Sequence, residues 1–161
     1  MFSLLKPDFA ITSVVELTLE ILKELQITTL LLDVDCTLKR YNKLVPLPEV
    51  NNWLKQMREA GINLYLVSNG GGVRIRQFSE NVQIPFAAPA MKPLPFAINR
   101  VIRLMNYDKK TTAMVGDQLF TDILAGKLAR IMTILVKPQG ENEEPWFARM
   151  KRPLEKFIIK R

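Results

Sequence analysis

Two carboxylates, Asp33 and Asp35, stand one residue apart directly after the apolar run of residues 30–32. An apolar run that stops at acidic residues is typical of a buried parallel strand leaving the core at its carboxyl end, where open α/β sheets bind their ligands. Carboxylates held this close repel each other in a medium of low dielectric and need a positive partner. Mg²⁺ suits them because it is a hard cation that takes carboxylate and carbonyl oxygens.

Three later apolar stretches also run into polar side chains that could do chemistry, and these are Ser68, Asn69, Lys92, Asp117 and Asp122. If the stretches are parallel strands, their carboxyl ends lie on one edge of a sheet and bring these residues to the first acidic pair. A lysine and a serine hydroxyl at that edge supply groups that bind phosphate. A metal, a phosphate site and a carboxylate nucleophile together predict phosphoryl transfer through an aspartyl-phosphate.

The elements that must position these residues alternate between helix and strand. The sequence pattern predicts helices over residues 11–25, 49–60, 73–81, 94–105 and 119–128, and strands over 27–32, 62–67, 112–115 and 131–136, with a short strand or loop over 84–90. This order predicts an α/β fold in three layers: a Rossmann-like parallel sheet with right-handed crossovers and helices on both faces.

Length and composition limit the possibilities further. A chain of 161 residues that is 48% hydrophobic predicts one domain over 1–161. Its parts are an N-terminal amphipathic helix within 1–26, capped by Thr12 or Ser13, a motif-bearing core over 27–136 and a tail over 137–161. Histidine is absent, which excludes histidine bases and histidine zinc sites, and the single cysteine excludes an internal disulfide.

The net charge of +7 is concentrated near the carboxyl terminus, where residues 145–161 hold six basic residues against Glu155 alone. Large apolar side chains are interleaved with these charges. The tail either packs as a last core segment with its charges in solvent, or contacts an anionic surface such as a membrane or RNA. No apolar run reaches the roughly 18 residues that span a bilayer, so a cytoplasmic protein, peripheral at most, is expected.

Four segments carry a resemblance to a known family: 33–38 (DVDCTL), 67–69 (VSN), 92–93 (KP) and 115–122 (VGDQLFTD). In this order they resemble the four motifs of the haloacid dehalogenase superfamily of phosphatases. The short length and the GDQ run look most like its capless subfamily IIIA, similar to the phosphatidylglycerophosphate phosphatase-like proteins. The resemblance implies a haloacid dehalogenase-like fold without a cap domain.

The resemblance also implies roles for the acidic pair. Asp33 becomes the nucleophile that attacks phosphorus and a ligand of Mg²⁺. Asp35 becomes the general acid for the leaving oxygen and then the base that activates water, and its backbone carbonyl binds the metal. Such a carboxyl must hold a proton near neutral pH at one step, which a buried acidic cluster is expected to assist.

The remaining roles follow from the same resemblance. Ser68 hydrogen-bonds the phosphoryl oxygens and Lys92 neutralises them, with Asn69 grouped beside them at the phosphate site. Asp117 ligates the metal, and Asp122 supports it through water or orients the lysine. Thr37 and Asn69 are interpreted as residues that fix the loop geometry.

Cys36 departs from the family pattern, which more often has asparagine at this position. Two neighbouring carboxylates raise the pKa of a thiol and no general base stands beside it in the sequence, so Cys36 is interpreted as a small packing residue.

The spacing of the motifs limits the substrate. The intervals from Asp33 to Ser68 and from Ser68 to Lys92 are already filled by sheet and helix, so neither can hold a cap. A capless site favours a large substrate, a surface-bound one or a cap lent by a partner subunit. These features predict a Mg²⁺-dependent phosphomonoesterase, with phosphatidylglycerophosphate, a lipid phosphate, as the preferred substrate and possible peripheral contact with anionic membrane.

Several alternatives remain open at this stage. The substrate could instead be a phosphoprotein, a nucleotide or a sugar phosphate. A non-catalytic phosphoacceptor module is less consistent with Asp35 lying two residues after Asp33, because in such modules the acidic pair and the phosphorylated residue come from different strands. A nucleic-acid-binding module fits the pI of about 9.7, but no nucleic-acid motif is present and the positive charge is confined to the tail, so no nucleic acid is expected.

Overall fold

The computed structural model describes residues 2–41 and 43–140 of the chain. Within these residues the six strands are Phe9–Ile11 (β1), Thr29–Leu32 (β2), Asn63–Val67 (β3), Phe86–Ala87 (β4), Thr112–Gly116 (β5) and Met132–Val136 (β6). The α-helices are Leu19–Glu24 (α1), Pro48–Glu59 (α2), Gly72–Val82 (α3), Phe96–Leu104 (α4) and Leu124–Ala129 (α5). Short 3-10 turns cover Phe2–Leu5, Val14–Glu16 and Lys109–Thr111, and a π-helical turn covers Leu119–Ile123.

The strands form one sheet in the order β1-β6-β5-β2-β3-β4, and every neighbouring pair is parallel. The register places Leu32 of β2 opposite both Leu66 of β3 and Val115 of β5. The carboxyl ends of these three central strands therefore lie level with one another. The predicted parallel α/β sheet is confirmed.

Helices cover both faces of the sheet, and β2 shows how the strand alternation divides them. Leu30 and Leu32 are buried with side chains of α1, α2 and α3, whereas Leu31 is buried with side chains of α4 and α5. Successive strand residues point to opposite faces, so a fully apolar strand such as β2 requires cover on both sides. Each fully buried leucine stabilises the fold by roughly 1.5–3 kcal/mol relative to an exposed one. The predicted three layers are confirmed.

The prediction of one helix over residues 11–25 is wrong. Residues 9–11 instead form β1 at the edge of the sheet, and the α-helix begins only after Thr18, whose hydroxyl accepts from the N–H of Ile21. Between them, the carboxylate of Glu16 accepts from the N–H groups of Thr12 and Ser13 at 3.1 Å and closes a 3-10 turn. The helix-like spacing of apolar residues in this segment arises because the turn is buried against the core, and not because the segment is one continuous helix.

The intervals between the motif strands hold no extra domain in the described residues. The connection from β2 to β3 contains α2 and the connection from β3 to β4 contains α3, so no cap covers the site edge within residues 2–41 and 43–140. The predicted tail over 137–161 lies, from residue 141 onward, outside the described residues. In the described segments no helix has both the length and the apolar character needed to cross a membrane.

Asp8 attaches the first strand to β6, and its loss is expected to destabilise the protein in a pH-dependent way. Its carboxylate accepts from the N–H and hydroxyl of Thr133 at 2.9 and 2.8 Å and pairs with Lys127. Burial acts to raise the pKa of Asp8, but the hydrogen bonds from Lys127 and Thr133 outweigh it and hold the pKa below its ordinary value of 3.8. Because the side chain is 41% exposed, Asp8→Asn should cost only about 1 kcal/mol at neutral pH.

The sign of the pH dependence follows from the lowered pKa. The carboxylate stabilises the fold above its unfolded-state pKa, and this stabilisation is lost as the pH falls through the lower folded-state pKa. In urea unfolding, the difference in the free energy of unfolding between wild type and Asp8→Asn should therefore shrink below about pH 4. Glu59→Gln makes the same charge change at a mostly exposed pair with Lys55 and is the control. A difference between wild type and Asp8→Asn that is the same at all pH values would contradict the prediction.

Candidate active site

Asp33 is the first residue beyond β2, and it is still held by the sheet. Its N–H donates to the carbonyl of Val115 in β5 at 2.9 Å, so the backbone leaves the ladder only after this residue. The chain then turns sharply, with the N–H of Cys36 donating to the carbonyl of Lys39 at 2.8 Å. The turn fixes the nucleophile candidate at the edge where the three central strands end.

Cys36 is fully buried within this turn and has a positive φ of 63°. Asparagine adopts this left-handed backbone more readily than most residues, which is a physical reason for the asparagine of the family pattern. The burial agrees with the interpretation of Cys36 as a packing residue.

Lys92 is the centre of the buried charge cluster. Its Nζ donates to Asp33 at 2.7 Å, to Asp122 at 2.6 Å and to the carbonyl of Val67 at 2.7 Å. The other carboxylate oxygen of Asp122 accepts from the N–H of Gln118 at 3.0 Å. Asp122 therefore contacts Lys92 as one of its two predicted roles requires, and the role itself stays a prediction.

Three buried carboxylates converge beside this lysine. Asp33, Asp117 and Asp122 each offer an oxygen, and these oxygens lie within 4.8 Å of one another. The hydroxyl of Thr37 lies between Asp33 and Asp117, at 3.4 and 3.2 Å. With Lys92 as the cation paired among them, the ionised cluster has two negative charges in excess. Hard oxygen donors with this excess fit a divalent cation such as Mg²⁺.

The same surroundings change the pKa values of the cluster. Burial raises the pKa of Asp33 to about 7, and the carboxylates of Asp122 and Asp35 act in the same direction while Lys92 opposes them. Burial alone would lower the pKa of Lys92, but Asp122 and Asp33 outweigh it and raise the pKa, so the lysine stays charged. A divalent cation among these carboxylates would favour the ionised form of Asp33.

Ser68 and Asn69 directly follow β3, and their side chains make different contacts. Ser68 is buried, and its hydroxyl oxygen accepts from the N–H of Gly70 at 3.1 Å and keeps its own proton for donation. The carboxamide of Asn69 donates to the carbonyl of Lys92 and accepts from its N–H, both at 2.8 Å. Asn69 therefore braces the lysine loop, while a direct contact of Asn69 with phosphate stays a prediction.

Asp35 is paired with two cations and does not belong to the group of three converging carboxylates. Arg74 donates to its two oxygens at 2.6 and 2.7 Å, and Lys39 pairs with it at 2.5 Å. Burial acts to raise the pKa of Asp35, but Arg74 and Lys39 outweigh burial and lower it. The expectation that the acidic cluster helps Asp35 to hold a proton is wrong, because two cations surround it instead.

Lys39 and Arg74 are therefore site residues that the sequence motifs did not indicate. Lys39 is fully buried, and its Nζ also donates to the carbonyl of Tyr41 at 3.1 Å. The spacing of four residues between Asp35 and Lys39 was a local signal for this pair. Arg74 lies 39 positions after Asp35, and only its place in the first turn of α3 after a glycine-rich loop pointed to the site.

Gly116 ends β5 against Asp122, and a side chain is not tolerated there. A Cβ added to Gly116 would lie 2.3 Å from Cγ of Asp122, so Gly116→Ala must displace the carboxylate that orients Lys92. We expect phosphate release to fall by at least about tenfold and the fold to lose about 1–3 kcal/mol. In Gly72→Ala the added Cβ would come no closer than 3.8 Å to its nearest neighbour, and near wild-type activity is expected. Equal activities of the two variants would contradict this account.

The arrangement of an aspartate, a lysine and an acidic cluster on a parallel sheet edge is typical of one class of hydrolase. A family model of the haloacid dehalogenase-like hydrolases matches residues 10–130, which include every residue of the site. The chain belongs to this family. The probable phosphatase YqeG of Bacillus subtilis (strain 168) is 35% identical over 153 residues, covering 95% of this chain and 88% of that protein. The chain is thus a phosphoric monoester hydrolase, as the resemblance predicted.

Two further comparisons are more limited. Phosphatidylglycerophosphate phosphatase 1, chloroplastic/mitochondrial, of Arabidopsis thaliana is 44% identical over 48 residues, which are 30% of this chain and 14% of that protein. The solved structure of 3-deoxy-D-manno-octulosonate 8-phosphate phosphatase from Moraxella catarrhalis, in complex with magnesium, phosphate and KDO, has a TM-score of 0.55 and 16% identity. This match covers 88% of the present chain and 91% of that one, and it shows a shared fold.

Proposed function

We propose that the protein is a Mg²⁺-dependent phosphomonoesterase that acts through an aspartyl-phosphate on Asp33. The observation that carries the proposal is the contact of Asp33 with Lys92 at 2.7 Å inside a buried cluster that also contains Asp117. A nucleophile needs the phosphorus nearby and a positive charge to receive the phosphoryl oxygens. Lys92 supplies that charge from a fixed position, because three oxygens hold its ammonium group.

The proposed reaction has two half-steps. An oxygen of Asp33 forms a bond to phosphorus while the bond to the leaving oxygen breaks, and Asp35 gives that oxygen its proton. Asp35 then takes a proton from the water that attacks the aspartyl-phosphate, which releases phosphate and restores Asp33. Ser68 donates to the phosphoryl oxygens throughout. Arg74 and Lys39 favour the base form of Asp35, and the negative charge of a bound phosphate would shift Asp35 back toward its acid form.

The metal would be held by the carboxylates of Asp33 and Asp117 together with the backbone carbonyl of Asp35. Bound there, Mg²⁺ would offset negative charge on the carboxylates and on the phosphoryl group. Support for this ion comes from the converging oxygens of Asp33, Asp117 and Asp122 and from the excess of negative charge among them. The similar Moraxella phosphatase was solved with magnesium and phosphate.

For the substrate we propose phosphatidylglycerophosphate, a lipid phosphate. Two observations support it: the edge of the sheet has no cap in the described residues, and one stretch of 48 residues is 44% identical to a plant phosphatidylglycerophosphate phosphatase. An open site suits a head group that stays attached to a surface, because the surface itself helps to exclude water from the reacting atoms.

The test is phosphate release from phosphatidylglycerophosphate in mixed micelles, a sugar phosphate, a nucleotide and a phosphopeptide, each with Mg²⁺ and with EDTA. The expected result is Mg²⁺-dependent release that is fastest from the lipid phosphate. Fastest release from a soluble compound would overturn the lipid assignment and leave the chemistry intact. No release from any of them, with Mg²⁺ present, would overturn the proposed function as a whole.

A further inference from the structure

An apolar groove lies beside the active site, between α4 and the segment that leads from β4 to Lys92. It has a volume of about 420 Å³, and we call it the α4 groove; its lining includes Tyr65, Phe86, Met91, Phe96, Arg100 and Leu104. Three of these are unusually exposed for large apolar side chains: Met91 is 64%, Phe96 is 70% and Leu104 is 67% exposed. Exposed apolar patches of this kind mark interaction surfaces.

The exposed groove residues of α4 form one continuous face of the helix. Phe96, Arg100 and Leu104 are spaced four residues apart, so they stand one above another along about 12 Å of the helix. Ile98 and Ile102 on the opposite side are buried in the core. The core therefore already fixes the position of the helix, and burial in this fold does not account for the apolar groove face.

The lining of the α4 groove contains no acidic residue. Residues 81–107 contain no aspartate or glutamate, and their exposed charges are those of Arg100 and Arg103. Arg100 is the charged residue of the groove lining. An apolar surface carrying arginine and no acidic group is complementary to the interface of a membrane that contains anionic phospholipid. A second copy docked face to face would bring two arginine-bearing surfaces without acidic partners against each other, which is unfavourable.

The α4 groove is also continuous with the catalytic edge. Met91 lines the groove and directly precedes Lys92, whose ammonium group contacts Asp33. Ala87, another lining residue, accepts at its carbonyl from the N–H of Ser68 at 3.1 Å. One end of the groove therefore adjoins the residues that carry Lys92 and Ser68.

We propose that the α4 groove is the membrane-docking surface of this enzyme and rests on the interface of a bilayer containing anionic phospholipid. This inference rests on the proposed lipid phosphate substrate. Phe96, Leu104 and Met91 enter the interface, and Arg100 pairs with lipid phosphate groups. The docked enzyme then meets the head group of its substrate at the sheet edge without leaving the membrane surface.

The test is cosedimentation of the full chain with vesicles of phosphatidylcholine alone and of phosphatidylcholine mixed with phosphatidylglycerol. We expect binding to the mixed vesicles, and we expect Phe96→Asp/Leu104→Asp to weaken it by at least about fivefold. The control is Leu19→Asp, at a leucine of α1 that is 40% exposed. This variant should bind like the wild type. Because neither Phe96 nor Leu104 belongs to the catalytic machinery, phosphate release from a soluble substrate should stay within about twofold.

Three outcomes would overturn the proposal. The first is a wild-type protein that binds neither vesicle. The second is equal binding by the groove variant, which would assign docking to another segment such as 141–161. The third is a concentration-dependent dimer, without vesicles, that the groove substitutions abolish, which would make the groove an interface between copies. Failure of the proposed function is separable, because it appears as absent phosphate release whatever the vesicle binding.

Discussion

Asp33→Asn is expected to abolish phosphate release, with a loss of at least about 10⁴-fold, because the amide cannot form the bond to phosphorus. The substitution keeps the shape of a side chain that is 10% exposed. It also removes a carboxyl whose pKa burial has raised to about 7. The variant should therefore fold at least as well as the wild type, and the loss can be assigned to chemistry. The measurement is the steady-state rate with saturating Mg²⁺, beside an unfolding curve.

Asp108→Asn is the matched control for this variant. Its carboxylate accepts from the N–H of Lys110 at 2.9 Å in the turn before β5, away from the catalytic edge. The same chemical change there should leave the rate within about threefold of the wild type. Persistent turnover by Asp33→Asn would refute the aspartyl-phosphate mechanism. Loss of turnover in both variants would point to a general effect of removing negative charge.

Lys92→Met is expected to lower both activity and stability by large amounts. Removing the ammonium group leaves Asp33, Asp122 and the carbonyl of Val67 without their buried donor. Breaking a buried ion pair from one side typically costs about 3–5 kcal/mol. Turnover should fall by at least about 10³-fold, since the charge that receives the phosphoryl oxygens is gone. Denaturant unfolding and phosphate release measure the two effects.

Mg²⁺ and a second substitution keep this prediction testable if Lys92→Met folds poorly. Mg²⁺ should recover part of the lost stability, because a ligand that binds only the folded state stabilises it. Adding Asp122→Asn removes one uncompensated charge and should also recover part of it. Lys55→Met is the control, at an exposed pair with Glu59 at 3.8 Å, and should change stability by less than about 1 kcal/mol. If Lys92→Met unfolded at the same midpoint denaturant concentration as the wild type, the account would be contradicted.

The positions of Asp33, Lys92 and Asp117 in the sequence explain why the edge that carries the candidate site was predictable. Each follows a strand or strand-like apolar stretch, and the ends of parallel strands share one edge whatever the order of the strands in the sheet. The order β1-β6-β5-β2-β3-β4 was not needed to bring them together. Strands that are buried on both faces are also uniformly apolar, so their ends are easily recognised in a sequence.

The N-terminal segment shows where the same reasoning fails. The three residues of β1 gain their strand geometry from pairing with β6, more than 120 positions away in the chain. The alternation of Val14 and Leu17 with polar residues resembles helical periodicity, although both are buried beside the turn that Glu16 closes. A local pattern cannot distinguish a short element held by distant partners from the start of a helix.

The sequence by itself therefore determined the parallel α/β sheet, the edge that carries the candidate site, and the aspartate and lysine side chains that meet there. Only the tertiary structure decided the state of Asp35, because Arg74 reaches it from another element and Lys39 is buried with it. It also decided that apolar side chains of α4 stay exposed beside the site. Strand ends are set by local apolar patterning, whereas ion pairs and exposed faces depend on how the finished elements pack.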